Sequence, residues 1–269
     1  MVKTQGLCYI YEDGTKALKN INLNIDNHNI IGIVGANGSG KTTLFFNLMG
    51  LLKPSKGKVF LNGKEMKYNR KALKKIRKKI GIVFQDPDKQ IFYSKVYDDV
   101  AFGPRNLGIG EEEVNKIVEN ALNMVDMVEF KDKPVHFLSY GQKKKVAIAG
   151  ALAMNNDIIL FDEPTAGLDP VGTENMINII KKLSEKNKKI IISSHDMDMI
   201  YELCEYIYIM SKGEVIDEGI PTRIFMKESI LKEAMLKEPW LVKIHKILGV
   251  PLCEKEEELK AFYIGKNNK

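Results

Sequence analysis

The chain has 269 residues, of which 44% are hydrophobic and 28% charged, with a formal net charge of +6. That length suits one large α/β domain with an appendage, and the apolar content excludes a disordered chain. No apolar run approaches the roughly 18–20 residues that span a bilayer, the N-terminus lacks a signal peptide's apolar region, and Cys8, Cys204 and Cys253 stand isolated. The expectation is a chain made and kept in the cytoplasm, with three reduced thiols and neither a disulfide framework nor a cysteine metal site.

In chain order, residues 2–11 and 18–25 alternate well enough to be strands, with Asp13-Gly14 as the turn between them. Residues 29–34 read as a buried strand that runs into Gly35-Ala36-Asn37-Gly38-Ser39-Gly40-Lys41-Thr42. This fits G-x-x-x-x-G-K-[ST], the P-loop pattern, in which glycines let successive backbone N–H groups surround a phosphate chain. A helix from about Lys41 adds its positive N-terminal end to the same anion. Lys41 would reach the outer phosphates, and the Thr42 hydroxyl would take one position on a magnesium ion.

Residues 57–64 read as a strand ending in an Asn-Gly turn. The basic run 70–79 reads as a helix, a solvated one on the simplest reading and a contact for nucleic acid or an anionic membrane on another. Residues 80–84 form a short apolar strand that stops at Gln85. From Asp86 to about Ala153 the pattern is helical, with Val114, Ile117, Val118, Ala121, Leu122 and Val125 on one amphipathic stripe. The apolar run 158–161 is a strand buried on both faces and ends in Asp162-Glu163. A helix over 171–186, a buried strand over 189–193 ending at His195, and a hairpin over 206–216 follow. Beyond Pro221 the strands end. Residues 221–250 look like two short helices, and the last stretch is charged.

Four apolar strands thus end in the P-loop, Gln85, Asp162-Glu163 and His195, and in an open parallel sheet such carboxyl ends converge on the ligand. Asp162 is the expected magnesium partner of a P-loop, and Glu163 beside it could polarise an attacking water. Taken singly, each is also an ordinary strand-terminal acid.

Leu138-Ser139-Tyr140-Gly141-Gln142 resembles the signature motif of ABC-type ATPases, with Tyr140 where that family most often has glycine. Phe161-Asp162-Glu163-Pro164 resembles the Walker B segment with its catalytic glutamate, Ala166-Gly167-Leu168-Asp169 the D-loop, Gln85 the Q-loop, and Ser194-His195-Asp196 the switch histidine. The motifs stand in the family's order over residues 3–219. Residues 83–92, 99–108 and 162–170 look like the energy-coupling-factor branch, which includes the cobalt-type importer ATPases. Lys145 replaces the family's usual arginine, keeping the charge without the bidentate geometry.

The resemblance implies an α/β fold with a P-loop NTPase core: a mostly parallel sheet, an antiparallel β subdomain, a helical subdomain over about 86–153 and a small C-terminal helical extension. Residues 1–219 would be the ATPase domain and 220–269 the extension. Tyr11 would stack on adenine, with Tyr9 the neighbouring candidate, and Gly35, Ala36, Asn37, Gly38, Ser39, Gly40, Lys41, Thr42 and Thr43 would hold the phosphates of ATP. Thr42, Gln85 and Asp162 would attend to Mg2+ and its waters. Glu163 would act as base or water-orienting group, His195 would bind the γ-phosphate, and Asp169 belongs to the D-loop. Leu138, Ser139, Tyr140, Gly141 and Gln142 would complete the site of a second subunit, because in this family the signature of one copy serves the other. His28, His136 and His245 match no motif and read as surface or packing residues.

What the resemblance implies is an ATP-hydrolysing subunit of a membrane importer for cobalt, another small metal ion or a vitamin. It would sit peripherally on the cytoplasmic face of the membrane, paired as a homodimer or heterodimer and bound to an integral membrane subunit, with no nucleic acid. The alternative is a soluble ABC-type ATPase acting on DNA or ribosomes. Such proteins usually carry a coiled-coil insertion or a second cassette, and this chain has neither.

Overall fold

In the computed structural model, which describes residues 2–186 and 188–267, the alternation at the start of the chain turns apolar side chains to one face. Val2–Ile10 (β1) and Lys16–Asn24 (β2) pair antiparallel, and the turn between them closes with Gly14 N–H donating to the Tyr11 carbonyl at 3.0 Å. Ile30–Val34 (β3) is buried throughout and leads through the glycine-rich loop into Lys41–Leu48 (α1). Lys56–Leu61 (β4) and Lys64–Glu65 (β5) flank the Asn62-Gly63 turn. The basic run is the helix Arg70–Arg77 (α2), begun by Asn69, whose side chain accepts from Ala72 N–H, and seated on buried Ile76.

Ile80–Val83 (β6) follows, then a short turn of 3-10 helix at Pro87–Lys89 and the helices Val96–Asn106 (α3), Glu111–Met124 (α4) and Tyr140–Ala153 (α5). Ile158–Asp162 (β7), Pro170–Glu185 (α6), Lys189–Ser194 (β8) and Met197–Leu203 (α7) come next. The chain then forms the hairpin Tyr206–Ser211 (β9) and Glu214–Gly219 (β10). It ends in Pro221–Ile224 (α8), Glu228–Glu233 (α9), Trp240–Leu248 (α10) and Glu256–Asn267 (α11).

These elements form two compact units. The first comprises Met1–Leu44, Pro54–Gly63 and Ser194–Lys269. In it β2, β1 and β4 make an antiparallel sheet, while β3 pairs parallel with β9, which pairs antiparallel with β10. The C-terminal helices belong to this unit, with Ile224, Phe225, Leu231 and Val242 buried and the Tyr201 hydroxyl donating to the Cys253 carbonyl at 2.9 Å.

The second unit comprises Phe45–Lys53 and Lys64–Ser193. Here β8, β7 and β6 run parallel in that order, each a near-continuous apolar run as a doubly covered sheet requires. Helices α3, α4 and α5 pack on one another. Val114, Val118, Ala121, Leu122 and Val125 are buried and Ile117 is half-buried, so the stripe read from the sequence is the core-facing side of α4 and its end.

Two readings change. Residues 221–250 form three helices instead of two, and the charged last stretch is itself helical in α11. Glu256, Glu257 and Glu258 suit the positive N-terminus of that helix, the Glu256–Lys260 pair spans one turn, and Leu259 is buried beneath. Helix α7 went unforeseen because it has only seven residues, five of them buried, and its polar face is two residues, Asp198 and Glu202, too few to establish a period.

Candidate functional site

The P-loop, Tyr11 and His195 lie in the first unit. Gln85, Asp162, Glu163, Asp169 and the signature segment lie in the second. Each set is described within its own unit.

In the first unit β3 delivers the chain to the loop and α1 receives it, the strand–loop–helix setting that the spacing demands. Gly40 has a φ of +106°, and a Cβ there would stand 2.7 Å from the Ala17 carbonyl oxygen, so neither the backbone nor the space admits a side chain. Ser39 N–H donates to the Ala36 carbonyl at 3.1 Å, and Gly213 N–H, from the turn of the β9–β10 hairpin, donates to the Ser39 carbonyl at 3.1 Å. The loop is therefore pinned from within and from a neighbouring turn. Lys41 is 6% exposed, and its ammonium donates to the carbonyls of Gly35 at 2.7 Å and Ala36 at 3.2 Å. Tyr11 reaches the same helix: its hydroxyl and Thr43 Oγ1 are 2.9 Å apart, and its exposed ring meets Tyr9 edge-on at 4.9 Å. His195 is exposed at the end of β8, where Asp196 turns back to cap α7.

In the second unit the parallel pairing of β6, β7 and β8 sets their carboxyl ends at one edge, so Gln85 and Asp162-Glu163 leave the sheet on the same side. Asp162 and Glu163 are 5% and 6% exposed. The Ser193 hydroxyl donates to an Asp162 carboxylate oxygen, and Glu163 N–H donates to the Ser193 carbonyl at 2.9 Å. Glu163 itself has a φ of +49°, a conformation uncommon for a residue with a side chain and concentrated at functional sites. Asp169 caps α6 by accepting from Gly172 N–H at 2.6 Å.

The signature segment has a local explanation as well as a functional one. Ser139 Oγ accepts from Gln142 N–H at 3.3 Å while Gln142 Oε1 accepts from Ser139 N–H at 3.0 Å, a capping box that starts α5. The remaining backbone N–H groups of that first turn supply the positive end of a fourteen-residue helix.

Three residues acquire roles that the motifs did not assign. The Gln90 side chain accepts from Phe84 N–H at 2.9 Å and donates to the carbonyls of Ile82 at 3.3 Å and Ala147 at 3.1 Å, fastening the strand before Gln85 to α5. Tyr140 donates its hydroxyl to the Gln85 carbonyl at 3.0 Å. Lys144 is fully buried and donates to the carbonyls of Glu163 and Ala166 at 3.0 and 2.9 Å. Burial pulls its pKa down to about 8 against the opposing attraction of Glu163, Asp162 and Asp86. The sequence did hold a signal for it: Lys144 stands in register with buried Ala147, Ile148 and Ala151 on the face of α5 that packs inward.

The donors expected for magnesium are a hydroxyl, a side-chain amide and a carboxylate, all hard oxygen ligands of the kind that ion takes. Among the described residues no three His, Cys, Asp or Glu side chains gather into a cage. Asp162, 5% exposed at the end of β7, supplies a carboxylate of that kind.

The second unit also carries an open apolar groove of about 820 Å³. Ile80, Ile82, Leu107 and Ala151 lie in its floor and walls, Phe92 and Phe102 meet edge-to-face at 4.6 Å at its rim, and Arg70, Lys74 and Arg77 of α2 line it with Lys78 just beyond that helix. Among the described residues no helix is long and apolar enough to cross a membrane. The three cysteines are free thiols.

Comparison with known proteins adds four findings. A family model described as "ABC transporter" matches residues 18–166. The cobalt import ATP-binding protein CbiO of Salmonella paratyphi A is 45% identical over 96% of this chain and 95% of its own length. The energy-coupling factor transporter ATP-binding protein EcfA of Methanocaldococcus jannaschii is 45% identical over 93% and 89%. Among solved structures, cbiO1 of Clostridium perfringens, described as part of the ABC transporter complex cbiONQ, superposes with a TM-score of 0.79 at 42% identity, covering 92% of this chain and 95% of that one.

Proposed function

The chain belongs to the ABC transporter family, and from that premise we propose that it is the ATP-binding and ATP-hydrolysing subunit of an energy-coupling-factor importer. Cobalt or another small metal ion is the favoured cargo, with a vitamin second, because the relatives named for cargo are cobalt importers. The observation that carries the reading is the P-loop, with Gly40 admitting no side chain and Lys41 held at the loop carbonyls. On this reading the N–H groups from Asn37 to Thr43 receive the phosphates, Lys41 neutralises their charge, and Tyr11 stacks on adenine. Thr42, Gln85 and Asp162 would hold a magnesium ion, which would withdraw charge from the phosphates. Glu163 orients the attacking water and takes its proton, and His195 contacts the γ-phosphate. Hydrolysis of this kind depends on positioning and charge stabilisation more than on covalent chemistry, so its rate follows closure of the site.

The signature segment Leu138 to Gln142 acts on the nucleotide of a paired subunit, so each site needs two chains. Ser139→Arg is expected to spare ATP binding by the isolated chain and to block dimer-dependent hydrolysis. Unchanged phosphate release by that variant would remove the composite site. Because Ser139 also caps α5, a thermal-unfolding control is read alongside; loss of a cap costs about 1 kcal/mol.

The membrane subunit docks in the groove of the second unit, which holds the chain at the cytoplasmic face. A groove of this volume with an aromatic rim suits an amphipathic helix laid into it, and the basic side of α2 then faces the membrane partner. Phe92, 65% exposed, tests the assignment. Phe92→Asp is expected to abolish co-purification of the membrane subunit while leaving ATP affinity unchanged; retained stoichiometric capture would move the docking surface elsewhere. The whole proposal is tested by tagging the chain in its host and identifying what co-purifies after gentle solubilisation. An integral membrane protein in stoichiometric amount supports it, and ribosomes or DNA-bound proteins without one would overturn it.

A further inference from the structure

Helix α5 begins at the signature segment, and two of its side chains, four residues apart, both end on the backbone of other loops. Lys144 has no exposed surface, yet it terminates in an ammonium whose hydrogen bonds go to main-chain carbonyls, those of Glu163 at 3.0 Å and Ala166 at 2.9 Å. Ala166 N–H also donates to the Glu163 carbonyl, at 3.2 Å, so that one oxygen receives two donors and the turn 163–166 is closed around it. The residue so held is the one with the left-handed backbone, φ +49°. Tyr140 lies one turn before Lys144, with the ammonium 5.6 Å from its ring centre. Its hydroxyl donates to the Gln85 carbonyl at 3.0 Å. Its ring closes over Gly167, where the φ is +76° and a Cβ would lie 2.9 Å from Tyr140 Cε1.

Burying a lysine is costly unless its donors are used, and a methionine would fill the same volume without that cost. Both observed hydrogen bonds of this ammonium are made to the segment that carries Glu163 and leads to the D-loop. We propose that Lys144 is a positioning residue for hydrolysis, holding Glu163 in its left-handed turn, and that with Tyr140 it makes α5 a strut from the signature segment to the loops of Gln85 and Glu163. The inference rests on the reading of Glu163 as the water-activating group and of the signature as serving a paired subunit. Its consequence is a route between two sites. A signature segment that moves onto its partner's nucleotide carries Lys144 and Tyr140 with it, and so resets the hydrolytic residues of its own subunit. Tyr140, at a position where the resemblance expects glycine, adds a connection that glycine could not make.

The test uses the full-length chain in its paired form, with Lys144→Met, Lys144→Gln and Tyr140→Phe, and Glu163→Gln in parallel. Steady-state phosphate release gives kcat, KM and the Hill coefficient; a fluorescent ATP analogue gives affinity, and thermal unfolding gives stability. Lys144→Met is expected to lower kcat by about ten- to hundredfold, the scale of an ångström's misplacement, with KM and affinity nearly unchanged. Lys144→Gln, which keeps two N–H donors on a shorter stem, is expected to recover part of that loss. Tyr140→Phe, which removes one oxygen and leaves the ring over Gly167, is expected to lower the Hill coefficient toward unity. A folded Lys144→Met with normal kcat overturns the proposal, as does a loss of stability and affinity together with kcat merely following the folded fraction. Should Lys144→Met not fold, a normal kcat in Lys144→Gln and an unchanged Hill coefficient in Tyr140→Phe overturn it equally. Normal turnover by Glu163→Gln sinks the underlying reading, whereas an inactive Glu163→Gln beside a normal Lys144→Met sinks this inference alone.

Discussion

Glu163→Gln is expected to lower ATP hydrolysis by about 10²–10⁴-fold, the range that a positioned general base contributes, while ATP binding stays at the wild-type level. The substitution is close to isosteric, so the backbone features that hold the position survive it: the N–H bond to the Ser193 carbonyl and the two donors on the Glu163 carbonyl. What is lost is a carboxylate able to accept a proton from water. ATP should still close the paired state, now without the step that reopens it, and size-exclusion chromatography with ATP should show the paired species persisting. Phosphate release near the wild-type rate would take Glu163 out of its assigned role. Weakened ATP binding would instead mean that the side chain contacts nucleotide directly.

Lys41→Ala is expected to act one step earlier, on binding itself. Hydrogen bonds to a charged group contribute about 1.5–3 kcal/mol, so removing the ammonium should raise the dissociation constant for ATP by roughly 10- to 150-fold. The glycine-rich loop should keep its shape, because its internal Ser39–Ala36 bond and the Gly213 bond to Ser39 do not involve this side chain. Isothermal titration with a non-hydrolysable ATP analogue reads the effect directly. An unchanged affinity would remove Lys41 from the phosphates, and a large drop in unfolding temperature would mean that its bonds to Gly35 and Ala36 hold the loop together. The two variants separate cleanly, since one leaves binding intact and the other does not.

The docking groove bears on a feature of the sequence that pattern alone left open. The basic run 70–79 carries no local signal that separates a solvated helix from a recognition surface. In the folded chain Asn69 caps it, Ile76 anchors it, and Arg70, Lys74, Arg77 and Lys78 line an apolar groove together with residues of β6, α3 and α5 and of the segments between them, Phe92 included. Neither the groove nor its lining can be seen in any one segment.

The sequence by itself determined what depends on neighbours along the chain. The Gly35-to-Thr42 spacing called for a strand, a loop and a helix, and Ile30–Val34 and Lys41–Leu48 supply them. The apolar runs ahead of Gln85 and Asp162 became parallel strands, and the stripe from Val114 to Val125 became a buried helix face. These are periodicities of two or about 3.6 residues and fixed motif offsets, and local sterics and burial enforce them. Only the tertiary structure decided which distant backbone groups a side chain meets. Tyr140 ends on Gln85, 55 residues away, Lys144 on Glu163, 19 away, and Gln90 on Ala147, 57 away. The left-handed turn at Glu163 is of the same kind, since a glutamate carries no local preference for it and the surrounding bonds hold it there. Periodicity tells which face of a helix is inward. The partner waiting on that side is set by how helices and strands far apart in sequence pack, and a buried ammonium is tolerated only where such a partner exists.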